Sequence, residues 1–207
     1  MKKVFLMIAA ALVGFSAMAQ VQFGVKVGFD MTNFWGKDIE HGMKPSYQAG
    51  ILMEYKFNDR VAIAPEAVFA SQGGKFKIGT VYMGWDLSKF AAKDITLTFN
   101  TNYINVPVMF KFYATPEFSI DLGPQVGFNV YSKATVSDGD ESLTFGLSDY
   151  AKTVDFGVGL GATYNLTENA FVQARYTLGL TKVFDDKFTE GEEAKNSNLQ
   201  VAFGWKF

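Results

Sequence analysis

The sequence predicts an all-β protein, an eight-stranded antiparallel up-and-down transmembrane β-barrel with short periplasmic turns and long extracellular loops. Three observations carry this. Eight segments of about ten residues alternate large apolar side chains with polar or small ones, the length and period of a tilted spanning strand. Their apolar faces hold no charge and no glycine, whereas the opposite faces hold ten charged residues and ten glycines. After the first 19 residues no run reaches the ~18 consecutive apolar residues of a spanning helix.

The segments follow in order. In 22–31 the apolar set is Phe23, Val25, Val27, Phe29 and Met31. In 47–57 it is Tyr47, Ala49, Ile51, Met53, Tyr55 and Phe57. Segment 61–70 has Val61, Ile63, Pro65, Ala67 and Phe69, and segment 103–113 has Ile104, Val106, Val108, Phe110 and Phe112. Segment 118–131 runs from Phe118 to Val130 through Ile120, Leu122, Pro124, Val126 and Phe128. Segment 153–164 has Val154, Phe156, Val158, Leu160, Ala162 and Tyr164, and 171–180 has Val172, Ala174, Tyr176, Leu178 and Leu180. The last strand carries Leu199, Val201, Phe203, Trp205 and Phe207.

Alternation alone does not say which face points outward. A soluble lipocalin-like barrel would turn the oily face inward. Size decides against it, because eight strands enclose little more than a packed interior or one small ligand. The oily face is therefore assigned to lipid and the polar face to the lumen. Closure also satisfies every backbone group in the bilayer, which an open sheet does not.

Connections at Asn58-Asp59, Ala114 to Glu117 and Asn165 to Asn169 are short, and those at 32–46, 71–102, 132–152 and 181–197 are long. This places the short turns and both termini in the periplasm. Phe23, Phe57, Phe112, Phe118, Tyr164 and Phe207 would form the girdle at that end. Pro65, Pro107 and Pro124 fall inside strands, where each removes a ladder donor. Local bulges are expected there, able to shift the face assignment by one residue.

At the N-terminus Lys2 and Lys3 precede an apolar run from Val4 to Phe15, and Ala17-Met18-Ala19 follows. This is the pattern of a secretory signal peptide cleaved after Ala19, leaving 20–207 as the barrel domain. The mature chain keeps 17 basic residues against 21 acidic, a net charge near −4. That gives no electrostatic reason to expect nucleic acid as a partner. Cysteine is absent, so an exported fold of this kind is stabilised by something other than disulfides.

The alternating strand that ends in Phe207 resembles the C-terminal strand of bacterial outer-membrane barrels. In those barrels the terminal aromatic is read during assembly. YINVPVMFKFY (103–113), FSIDLGPQVGFNVY (118–131) and VDFGVGLGATYNL (154–166) are similar to strands of the PorT-like outer-membrane β-barrel family of the Bacteroidetes. The resemblance implies a Gram-negative outer membrane, outer-membrane lipid and the barrel assembly machinery as partners, and Phe207 as the assembly signal. It implies no catalytic residue, cofactor or metal.

Motifs for chemistry are weak. Gly157-Val158-Gly159-Leu160-Gly161-Ala162 fits a dinucleotide-binding expression, but alternation runs straight through to Tyr164 without the required helix. His41, near Asp38, Glu40 and Ser46, is the one residue that would suit an outer-rim hydrolase, and a solvated loop side chain is the expectation. Asp138-Gly139-Asp140-Glu141 and the acidic run Asp185 to Glu193 lack EF-hand spacing. Asn165-Leu166-Thr167 is read as turn chemistry rather than a glycosylation site.

Two sets remain. Lys26, Glu54, Lys56, Glu66, Lys111, Asp121, Asp155 and Arg175 face the lumen and are expected to form a structural charge network. In 71–102, Ile95, Leu97 and Phe99 alternate with Thr96, Thr98 and Asn100, so this stretch is expected to project as a hairpin. Its tip holds Tyr82, Met83, Trp85 and Phe90, a possible contact surface. The expected function is a monomeric surface scaffold without catalysis, binding an unidentified envelope partner. The alternatives are a narrow porin-like channel and, more remotely, an outer-membrane enzyme or a lipocalin-like binder.

Overall fold

Alternating side chains and tight turns build a closed ring. The computed structural model describes residues 20–36, 42–81, 93–137, 142–148, 151–184 and 194–207, with side chains described outside 76–95. The strands are β1 Val21–Trp35, β2 Lys44–Asn58, β3 Val61–Gln72, β4 Lys75–Val81, β5 Lys93–Tyr113, β6 Phe118–Ser137, β7 Ser142–Gly146, β8 Val154–Asn165, β9 Ala170–Gly179 and β10 Lys195–Lys206. Neighbours run β5-β3-β2-β1-β10-β9-β8-β6, and β5 pairs β6 to complete an eight-stranded ring. Every pairing is antiparallel. At the seam between the first and last strands, Val25 lies opposite Trp205 and the Phe207 amide donates to the Phe23 carbonyl at 2.8 Å.

The short turns are held by their own side chains. Asn58 Oδ1 accepts from the amides of Arg60 and Val61, and Thr167 Oγ1 accepts from Asn169 and Ala170. The Asn165-Leu166-Thr167 triplet thus does the expected turn work.

The face assignment holds. Val27, Phe29, Ile51, Phe110, Leu122, Phe156, Leu160, Val201 and Phe203 all stand exposed on the outside. Lys26, Glu54, Glu66, Lys111, Asp121, Asp155 and Arg175 are buried inside. A protein with its oily residues out and its charges in needs a lipid belt.

The proline expectation fails. Register is the same on both sides of Pro65, Pro107 and Pro124, and only the ladder pairs next to them lapse. Proline removes a donor without adding a residue, and a bulge needs an extra residue. The register shifts fall at Lys56/Asn58, Ile78/Val81 and Asn102/Tyr103 instead.

The expected hairpin is present as β4 with the first part of β5. A second addition, β7, pairs with the end of β6 from Lys133↔Gly146 to Ser137↔Ser142. Together β4, β5, β6 and β7 make a four-stranded sheet standing above the ring. Gly73 sits at the foot of β4 with φ 133°, and a Cβ there would lie 2.0 Å from the Phe99 carbonyl oxygen. Only glycine turns the chain at that point.

In this upper sheet the polarity of the two faces inverts. Phe99 and Ala134 point inward and join Phe34, Leu147, Val183, Phe184 and Ala194 in one buried apolar cluster. Phe34 packs edge-on against Phe99 and Phe184, with ring centroids 6.1 and 5.9 Å apart. The outward positions there are polar. The change comes near the Asn102/Tyr103 irregularity, where the extra residue in β6 resets its phase.

Deleting Phe207 removes both an aromatic of the belt and the closing backbone bond at the seam. The expected outcome is a lower amount of protein in the outer membrane, measured by immunoblot of membrane fractions.

Candidate functional site

The lumen is the one place among the described residues where chemistry-bearing side chains converge, and they do so in layers. Nearest the short turns, Glu54 takes Lys206 Nζ at 2.9 Å and Lys111 Nζ at 3.2 Å on Oε2, and the Tyr113 hydroxyl on Oε1. Phe171 closes this layer against Gly204, where a Cβ would fall 2.1 Å from the ring. Glycine here makes room for an aromatic filler, as a packed small barrel requires.

The next layer centres on Glu66. Arg175 donates to it through both terminal nitrogens, at 2.7 and 3.0 Å, and Lys26 Nζ lies 2.6 Å from Oε2. The fork geometry of guanidinium on carboxylate is the strongest of these contacts. Lys26 also donates to Gln173 Oε1 at 3.0 Å, and Gln173 reaches Thr163 and Asp121. Asp121 accepts the hydroxyls of Ser119 and Thr163. Higher up, Gln48 bridges Asp30 and Gln200, and Asp155 accepts from Thr181 and Asn196.

Lys26, Glu54, Glu66, Lys111, Asp121, Asp155 and Arg175 of the predicted lumen set all make side-chain hydrogen bonds, and two details differ from the expectation. Asp121 and Asp155 are satisfied by hydroxyls and amides, with no cation within salt-bridge distance among the described residues. Lys56 stands at the periplasmic mouth, half-buried, its Nζ 5.0 Å from the centre of the Tyr113 ring. Lys206, which was not in the predicted set, lies beside Glu54. Lys56 lies one residue pair below Glu54 on β2, toward the short turn. Sequence reading missed Tyr113, Phe171 and the apolar cluster around Phe34. The signal for the last was the odd-numbered run Ile95, Leu97, Phe99.

A cavity of about 490 Å³ opens at the periplasmic mouth between Gln22, Lys56, Glu117, Asn165, Glu168 and Lys206. It meets the Lys206–Glu54 layer. At the other end the Phe34 cluster sits across the lumen. The arrangement can hold the wall rigid.

His41, with Asp38 and Glu40, lies outside the described residues. So do Tyr82, Met83, Trp85 and Phe90, the stretches 138–141 and 185–193, and the expected signal peptide 1–19. Gly157 to Ala162 lie within β8, which continues to Asn165 without turning into a helix.

Known structures agree with the ring. Neisserial surface protein A is 16% identical, with 89% of this chain and 97% of that one covered at a TM-score of 0.51. A major outer membrane protein from Thermus thermophilus is 13% identical, covering 90% and 99%, also at 0.51. Ail, the attachment invasion locus protein of Yersinia pestis, solved with the heparin analogue sucrose octasulfate, is 16% identical over 91% and 99%, at 0.50. At such identities the likeness is one of fold. No curated protein matches the chain. The outer membrane protein beta-barrel domain matches over residues 16–185. With its lipid-facing belt and closed ring, the chain belongs to that family and resides in the outer membrane of a Gram-negative bacterium.

Proposed function

We propose that this barrel is a non-catalytic, monomeric scaffold that displays its upper sheet and long loops to a partner at the cell surface. The observation that carries the reading is the filled lumen. Two ion-paired layers cross it, around Glu54 and Glu66, and the Phe34–Phe99–Phe184 cluster lies above them. A solute would have to break buried ion pairs and then cross an apolar plug, and neither has an energetic return. The narrow porin-like channel is therefore the weaker reading.

A working surface is available above the belt. Leu143 and Phe145 on β7 are 66% and 54% exposed, well beyond the lipid-facing rows. Exposed apolar side chains outside the belt suit a protein contact. The match of YINVPVMFKFY and its neighbours supports a place in the PorT-like branch, exported by the 1–19 signal peptide and assembled through Phe207. The three known structures, two of them surface or attachment proteins by name, fit a role at the cell exterior.

Single-channel recording in planar bilayers tests this. The expected outcome is a silent membrane with correctly folded protein. Reproducible conductance steps that change in Lys111→Ala or Glu66→Ala would establish the channel instead.

A further inference from the structure

The outward face of the upper sheet changes character within two residue rows. At and below Asn102 and Tyr131 the outward side chains include Phe69, Ile104, Phe128 and Tyr131, all exposed. Above them the register sets Asn100 beside Lys133, then Lys75, Thr98, Thr135 and Thr144 in one row across all four strands. The next row holds Thr96, Ser137 and Ser142, with Lys77 at the matching position of β4. The Thr135 and Thr144 hydroxyls hydrogen-bond at 3.1 Å between β6 and β7. No carboxylate occupies any of these positions.

Lys75 and Lys133 have no ion-pair partner among the described residues. Lys44 lies behind this face at the rim of β2, beyond the spanning stretch and on the inward row opposite Thr32. It is buried, with Nζ 3.2 Å from the Gln72 carbonyl and 3.4 Å from Ser71 Oγ. Burial, then the like charges of Lys75 and Lys133, holds its ammonium down at about 8. Lys75 and Lys133, with no carboxylate partner among the described residues, raise a positive potential that attracts an external anion.

We infer that this Lys/Thr/Ser face docks the phosphorylated sugar headgroups of glycolipid in the surrounding outer leaflet. Position fixes the occupant. The face lies directly above the apolar belt and points away from the barrel axis, so it meets neighbouring headgroups rather than the lumen. Chemistry agrees, because phosphate takes ammonium donors and sugar hydroxyls pair with threonine, serine and asparagine.

The test is a titration of the detergent-solubilised full barrel with diphosphoryl lipid A, a phosphate-free lipid A analogue and inorganic phosphate, read by native mass spectrometry. Wild type is expected to retain the diphosphoryl glycolipid well above the phosphate-free analogue, with inorganic phosphate failing to displace it. The Lys75→Ala/Lys133→Ala double variant is expected to lose about 30-fold in affinity, at the usual strength of a lysine near an anionic surface. The Lys75→Arg/Lys133→Arg variant should retain binding. Folding of each variant is checked by its heat-dependent shift on a detergent gel. Unchanged affinity in the folded alanine double variant would overturn the inference. So would equal retention of the phosphate-free analogue, or displacement by inorganic phosphate.

Discussion

Glu66→Ala is expected to destabilise the folded barrel by about 3–5 kcal/mol, the cost of leaving buried charge unpaired. Among the described residues Glu66 is the sole carboxylate holding both Lys26 and Arg175, and all three side chains are buried. Its removal leaves two cations facing each other in the barrel interior. Removing one cation costs less, since Lys26→Met leaves Glu66 with its paired hydrogen bonds from Arg175. The ordering Glu66→Ala below Lys26→Met below wild type is read from guanidinium chloride unfolding in detergent or lipid vesicles. Equal stability of Glu66→Ala and wild type would show that the layer is open to water and ions.

Phe34→Ala is expected to cost about 3–5 kcal/mol in the stability of the upper sheet, the range for a buried phenylalanine that leaves a cavity. Phe34 is fully buried and packs on both Phe99 and Phe184, which also touch each other with ring centroids 5.5 Å apart. Gly74 packs on its face, so no neighbouring side chain at that position fills the space. The loss should be local. Amide exchange should accelerate in the upper part of β5 and around Val183 and Phe184, while the Glu54 and Glu66 layers keep their protection. Uniform acceleration throughout the ring would mean that the cap and the membrane-embedded wall unfold as one unit.

The wall of the barrel was legible from the sequence because lipid enforces its pattern at every second residue. Val25, Val27 and Phe29 against Lys26, Gly28 and Asp30 already separate the two faces. The pairing of charges was not legible. Glu66 meets Arg175 109 residues away and Lys26 40 residues away, and only the ring closure and strand register bring them together. Lys206 beside Glu54 is a contact of the same kind, 152 residues apart. The prolines misled because a lost donor was taken for a lost register.

The upper sheet was half legible. Ile95, Leu97 and Phe99 are odd-numbered, whereas the lipid-facing Ile104, Val106 and Val108 are even-numbered on the same strand. That change of phase without a bulge in β5 means one face goes from apolar to polar along its length. It records where lipid ends. Strand β7 escaped notice because five residues carry too little alternation to stand out.

The oily outside and polar inside exchange places at the level of Asn102 and Tyr131. The chain has no cysteine, so single cysteines can be placed along β5 and spin-labelled in lipid vesicles. Power saturation with oxygen and with a water-soluble nickel chelate measures what surrounds each label. Labels at Val106→Cys and Ile104→Cys should be relaxed mainly by oxygen, as in lipid. Labels at Thr98→Cys and Thr96→Cys should be relaxed mainly by the chelate, and the label at Leu97→Cys by neither. Oxygen-dominated relaxation at Thr98, or chelate access at Ile104 and Val106, would contradict the account.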